Sequence, residues 1–97
     1  MSEAAENCSC ATSNRLVTLA GAGLAAAGVV HFVAPELFRG ITAPVFPENT
    51  DQAITINGGL ETAIGAAIAF PRTRRAGLAG LGLYGAYLAA NMVKANL

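Results

Sequence analysis

The sequence predicts an all-α fold, a transmembrane helical bundle of three spans at about 14–35, 52–70 and 76–95. Three observations carry that expectation. The chain of 97 residues is 54% hydrophobic with a mean hydropathy of +0.49. Only 12% of it is charged, against about a quarter in a soluble domain, so it has little polar surface with which to face water. Alternating strand patterns are absent, and a backbone in lipid must bond to itself, which leaves helices.

The first span is free of Asp, Glu, Lys and Arg from Leu16 to Pro35. A bilayer core of about 30 Å needs roughly 17–25 helical residues, so this stretch is long enough. Its run LVTLAGAGLAAAGVV offers no polar face beyond Thr18, unlike a surface helix of a soluble protein. Ser13 or Asn14 is a suitable N-cap, and Pro35 a stop. The acidic segment before it, with Glu3 and Glu6, is unlike the basic start of a cleaved signal peptide. The span is therefore read as retained.

The second span contains one charged residue between Gln52 and Phe70, namely Glu61. Asn49, Thr50 or Asp51 is placed to cap it, and Pro71 ends it. The third span has no charge between Ala76 and Val93. Between them Arg72, Thr73, Arg74 and Arg75 leave room only for a turn between antiparallel helices.

Residues 1–13 read as a disordered polar tail carrying Cys8 and Cys10. Two cysteines are an incomplete metal site, since zinc takes three or four protein ligands. The membrane domain covers 14–97. Its 36–51 loop mixes Leu37, Phe38, Ile41, Val45 and Phe46 with Pro44 and Pro47, a composition suited to the membrane interface. The expectation there is a short helix near Pro35–Arg39 followed by an extended proline-rich piece.

Lys and Arg counting sets the orientation. With the N-terminus cytoplasmic, Arg15, Arg72, Arg74 and Arg75 lie inside, and Arg39 and Lys94 outside. The expected location is a cell membrane, multi-pass, with the C-terminus outside. Six basic and six acidic residues cancel, which argues against a nucleic-acid partner.

Small residues at four-residue spacing offer packing ridges: Gly23 and Ala27, Gly59 and Ala63, Gly82 and Ala86. Such ridges let helix backbones approach where lipid provides no hydrophobic drive. Three helices make a thin bundle, so the expected partners are the lipid bilayer and either further copies of the chain or a larger membrane complex.

Glu61, near mid-membrane, is the most informative residue, because a charge there costs a few kcal/mol even on lenient scales. Asn57 is one turn away on the same face. His31 and Asn91 lie toward the outer ends of their spans, with Tyr84 and Tyr87 at helical spacing on the third. A cluster of His31, Asn57, Glu61, Tyr87 and Asn91 is the candidate site. It suits proton relay, a quinone head group or a polar lipid head. Equally, such residues fix helix register through interhelical hydrogen bonds. With one His, neither a Ser/His/Asp triad nor a metal site can be completed, and no catalytic residue is assigned.

Four elements in order, His31-Phe32-x-x-Pro35-x-x-Phe38, Ile56-x-Gly58-x-x-Glu61, Pro71-Arg72-Thr73-Arg74-Arg75 and Ala90-Asn91-x-x-x-Ala95, together resemble the DoxX-like membrane-protein family over residues 16–97. The resemblance implies a small helical membrane bundle, usually of four spans, whereas three are read here. It implies no single chemistry. The family takes its name from a subunit of a thiosulfate:quinone oxidoreductase, and other members act in redox-linked complexes or receptor assembly. The function expected is a non-enzymatic accessory, assembly or scaffold subunit. The alternative is a quinone-linked redox or proton-coupled subunit of a membrane oxidoreductase complex.

Overall fold

A computed structural model describes residues 3–97, with side chains described from Thr12 onward. Cys8 and Cys10 therefore lie outside the described side chains, as does most of the expected tail. The fold is all-α, with no strand among the described residues. Helix α1 spans Glu3–Val33, a 3-10 turn covers Pro35–Phe38, and the short α2 covers Arg39–Thr42. Helices α3 (Thr50–Ala69) and α4 (Arg74–Ala95) follow.

Helix α1 starts well before the expected cap. Ser13 and Asn14 are interior helical residues, and Asn14 serves a different purpose described below. The C-terminal boundary falls where proline chemistry puts it. Pro35 cannot supply the N–H that would continue the ladder, so α1 ends at Val33 and Pro35 opens the 3-10 turn. Asn49 occupies the N-cap of α3 without a side-chain capping bond.

The 36–51 loop is helical at its start, as expected, but it does not continue as an extended piece. Residues 43–49 form turns and bends. The Val45 and Phe46 N–H groups both donate to Thr42 O, at 3.0 and 2.8 Å. That fold-back drives Phe46 inward until it is buried, with its ring centroid 5.5 Å from that of Tyr87 on α4. The hydrophobic gain from hiding a phenylalanine outweighs the extended preference of the flanking prolines.

By length and composition, two helices can cross a membrane: Thr12–Val33 within α1, and Arg74–Ala95. Helix α3 is long enough but not apolar enough. Asp51, Gln52, Asn57 and Glu61 lower its average. Of the three spans expected, the first and third are thus long and apolar enough by composition. Helix α3 is the central element, with both α1 and α4 packed against it.

The α1–α3 contact is close because glycines face each other twice. A Cβ on Gly21 would sit 2.6 Å from Ala69 N and 2.8 Å from Gly65 O. Two turns along, Gly28 lies against Gly58 O and Thr62 with no room for a Cβ. Helix α4 approaches α3 in the same way at Gly77, where a Cβ would meet Ile68 at 2.7 Å. The contacts therefore repeat every seven residues, at 21 and 28 on α1 and at 65 and 58 on the antiparallel α3.

The ridges expected at Gly23, Ala27, Gly59, Ala63, Gly82 and Ala86 do not form the packing seams within this chain. A Cβ on Gly23 or Gly82 would meet nothing within 4 Å, and one on Gly59 would meet only Phe32 at 3.9 Å. Ala63 and Ala86 are exposed, and Ala27 is half-buried. The reason is angular. At about 100° per residue, Gly23 lies about 200° around α1 from Gly21, and Gly82 the same from Tyr84, so both face away from α3.

Candidate functional site

The site forms where α1, α3, α4 and the 3-10 turn converge. Gly58 makes room for it. A Cβ at that position would lie 2.5 Å from the His31 Cβ, so only glycine lets the imidazole settle against α3. His31 is buried as a result, at 5% exposure. Its Nδ1 lies 2.8 Å from Ala27 O, one turn back on its own helix. The ring stacks on Phe38, with centroids 3.6 Å apart and planes 16° from parallel. Phe38 is carried there by the 3-10 turn that Pro35 starts, so the proline that stops α1 also supplies the cover for its histidine.

The other ring nitrogen faces Glu61. Nε2 is 3.7 Å from Oε2, close enough for an ion pair but long for a hydrogen bond. The same Oε2 accepts a 2.5 Å hydrogen bond from the Tyr84 hydroxyl of α4. One carboxylate oxygen thus ties all three long helices together. Tyr84 is itself buried, and its ring lies 6.1 Å from that of Tyr87.

The remaining candidates are placed differently. Asn57 is buried at 5% exposure, and its Oδ1 has no hydrogen-bond partner. A buried acceptor left unmade costs about 1–3 kcal/mol. Tyr87 packs against Phe46 and does not hydrogen-bond Glu61. Asn91 donates to Tyr87 O at 2.8 Å. It also lines a cleft of about 230 Å³ with Phe46, Glu48, Asn49 and Lys94. The cluster is therefore His31, Glu61 and Tyr84 covered by Phe38, with Asn57 one turn along α3. Tyr84 and Phe38 were not among the candidate residues. The signal for Tyr84 was its seven-residue spacing from Gly77 on one side and Asn91 on the other, which marks one face of α4.

Arg74 belongs to a second constellation at the opposite end. Its Nε donates to Ile68 O at 2.8 Å, meeting one of the carbonyls that the end of α3 leaves unpaired. Its terminal nitrogens donate to Asn14 Oδ1 at 2.5 Å and to Thr18 Oγ1 at 2.9 Å. A residue selected as a topology signal thus also clamps α1, α3 and α4. Arg72 and Arg75 remain exposed. Arg39 pairs with Asp51 at 2.6 Å, an exposed bridge between α2 and the start of α3.

Among the described residues no group of three or more His, Cys, Asp or Glu side chains gathers as a metal site would need. Comparison with curated proteins gave no match, and neither did comparison with solved structures. A family model described as a domain of unknown function, DUF8561, matches residues 19–96. That match covers α1 from Leu19 through the last turn of α4, including the whole of the His31–Glu61–Tyr84 cluster. The chain belongs to the DUF8561 family.

Proposed function

We propose that this chain is a small multi-pass membrane protein acting as a non-enzymatic accessory, assembly or scaffold subunit, either of a larger membrane complex or of a homo-oligomer. The supporting observation is the exposed apolar side chains of the two helices long and apolar enough to span a membrane. Leu16 and Leu19 on α1 are 62% and 67% exposed, and Leu83 and Met92 on α4 are 73% and 52% exposed. In water so much exposed apolar surface would associate without specificity. In a bilayer they are faces for lipid and for neighbouring helices. The 3-10 turn and α2, with Leu37 and Ile41 exposed, suit the outer interface. The orientation follows the positive-inside rule, with Arg72 and Arg75 cytoplasmic. The likeness to DoxX-like proteins in the order of the four sequence elements fits this reading.

Native mass spectrometry after extraction in mild detergent tests it. The expected result is a defined homo-oligomer or a complex with a second membrane protein. A monomer with no partner, at concentrations well above those in the membrane, counts against it.

A second reading, a proton-coupled subunit, is favoured by the His31–Glu61–Tyr84 cluster, since an acid, a base and a hydroxyl in contact can hold and pass a proton.

A further inference from the structure

We propose that His31 and Glu61 form a site that binds one exchangeable proton per chain, held on His31 Nε2 against the Glu61 carboxylate. This deepens the proton-coupled reading of the same cluster and depends on that reading only for its biological use.

The first step is the identity of each ring nitrogen. A carbonyl oxygen only accepts hydrogen bonds. Nδ1 lies 2.8 Å from Ala27 O, so this partner assigns a hydrogen to Nδ1. Nε2 is then the nitrogen turned toward Glu61, 3.7 Å from Oε2. With no proton between them, a nitrogen lone pair would face an anionic oxygen. The pair would carry one uncompensated negative charge in side chains only 4% and 15% exposed.

Among the described residues no cation is in contact with the pair. The groups around it are the Ala27 carbonyl on α1, Phe38 on the 3-10 turn, Tyr84 and beyond it Tyr87 on α4, and Asn57 one turn away on α3. All are neutral. The Arg39 guanidinium is engaged by Asp51. An unpaired carboxylate in a membrane interior costs several kcal/mol. One added proton brings the pair to zero net charge.

Two contacts decide where that proton sits. A ring stacked parallel at 3.6 Å presents the negative face of its π system to the imidazole, which favours a cation there. The Tyr84 hydroxyl donates to Glu61 Oε2 at 2.5 Å, which favours the carboxylate anion. Both place the proton on Nε2 rather than on Glu61. Its release to the aqueous phase leaves a neutral imidazole, still donating through Nδ1, and a carboxylate still held by Tyr84. The site gains one negative charge and no other bond changes.

The chain has a single histidine, so ¹⁵N-histidine NMR of the whole protein in bicelles reports this site alone. The expected result for the wild-type protein is hydrogen on both ring nitrogens. In Glu61→Gln the Nε2 hydrogen is lost while the Nδ1 hydrogen stays. A wild-type ring with bare Nε2, unchanged by Glu61→Gln, overturns the proposal. If Glu61→Gln does not fold, infrared spectroscopy of His31→Gln replaces it. The Glu61 carboxylate band should then give way to a protonated carboxyl band, and its persistence would overturn the proposal. A protein that carries this proton yet has no proton-coupled partner leaves the site standing and removes only the second functional reading.

Discussion

Tyr84 donates its hydroxyl hydrogen to the Glu61 carboxylate at 2.5 Å, and the same oxygen faces His31 Nε2 at 3.7 Å. Three helices therefore meet at one half-buried acid. Tyr84→Phe keeps the ring and removes the donor, leaving that carboxylate short of its charge-assisted bond. The expected cost is about 1–2 kcal/mol, read as an earlier midpoint in SDS-driven unfolding from mixed micelles. Tyr87→Phe, whose hydroxyl is not bonded to Glu61, should shift that midpoint by much less.

The glycine contacts give a sharper contrast. Gly28→Val or Gly65→Val places carbon where a neighbouring backbone already lies, and should destabilise by about 1–3 kcal/mol or separate α1 from α3. Gly23→Val and Gly82→Val point into open space in the monomer and should leave its unfolding midpoint nearly unchanged. If the outward faces of α1 and α4 mediate assembly, the same two variants should shift the oligomer distribution seen by native mass spectrometry. The paired measurement separates packing within the chain from packing between chains.

These contacts also show how much of the fold could be read in advance. The helical class, a tight turn after Pro71 and the convergence of His31 with Glu61 follow from hydrophobic length, proline positions and matching positions along the helices, although the turn closes at Thr73 and the expected Arg74 and Arg75 already belong to α4. The packing faces did not follow, because glycines and alanines are so frequent that four-residue pairs occur on every side of each helix. The seven-residue spacing of Gly21 with Gly28, Gly58 with Gly65, and Gly77 with Tyr84 was present in the sequence. It is the narrower pattern expected where antiparallel helices stay in contact over several turns. The inward fold of Phe46 was not legible, because it depends on the Thr42 carbonyl accepting two N–H groups.

Arg74 and Arg75 are adjacent and of like charge, yet they should behave differently. Arg74 donates to Ile68 O, Asn14 Oδ1 and Thr18 Oγ1, whereas Arg75 is exposed. Arg74→Gln should cost about 1.5–3 kcal/mol, as hydrogen bonds to a charged group do. Arg75→Gln should change stability by no more than about 0.5 kcal/mol, while weakening the cytoplasmic bias of the loop. Thermal unfolding in detergent measures the first effect, and a reporter fused at the C-terminus measures the second.

Phe38 stacks on the imidazole and covers one of its faces. Phe38→Ala should open His31 to water without removing either of its polar partners. The expected readout is faster hydrogen exchange at the ring and broader ¹⁵N-histidine lines, with the Ala27-bound Nδ1 hydrogen retained. Phe38→Tyr, which keeps the stacked ring, should restore slow exchange.

The proposed placement puts this bundle in a membrane with the His31–Glu61–Tyr84 cluster inside it and the turn between α3 and α4 on the cytoplasmic side. Site-directed cysteine labelling tests it most directly, using Thr73→Cys and Gly40→Cys in turn after Cys8→Ser and Cys10→Ser have removed the native thiols. The account predicts a carbonate-resistant membrane protein in which an impermeant thiol reagent reaches position 73 from the cytoplasmic face only, and position 40 from the opposite face only. Release of the chain by carbonate, or labelling of both positions from one face, would contradict it.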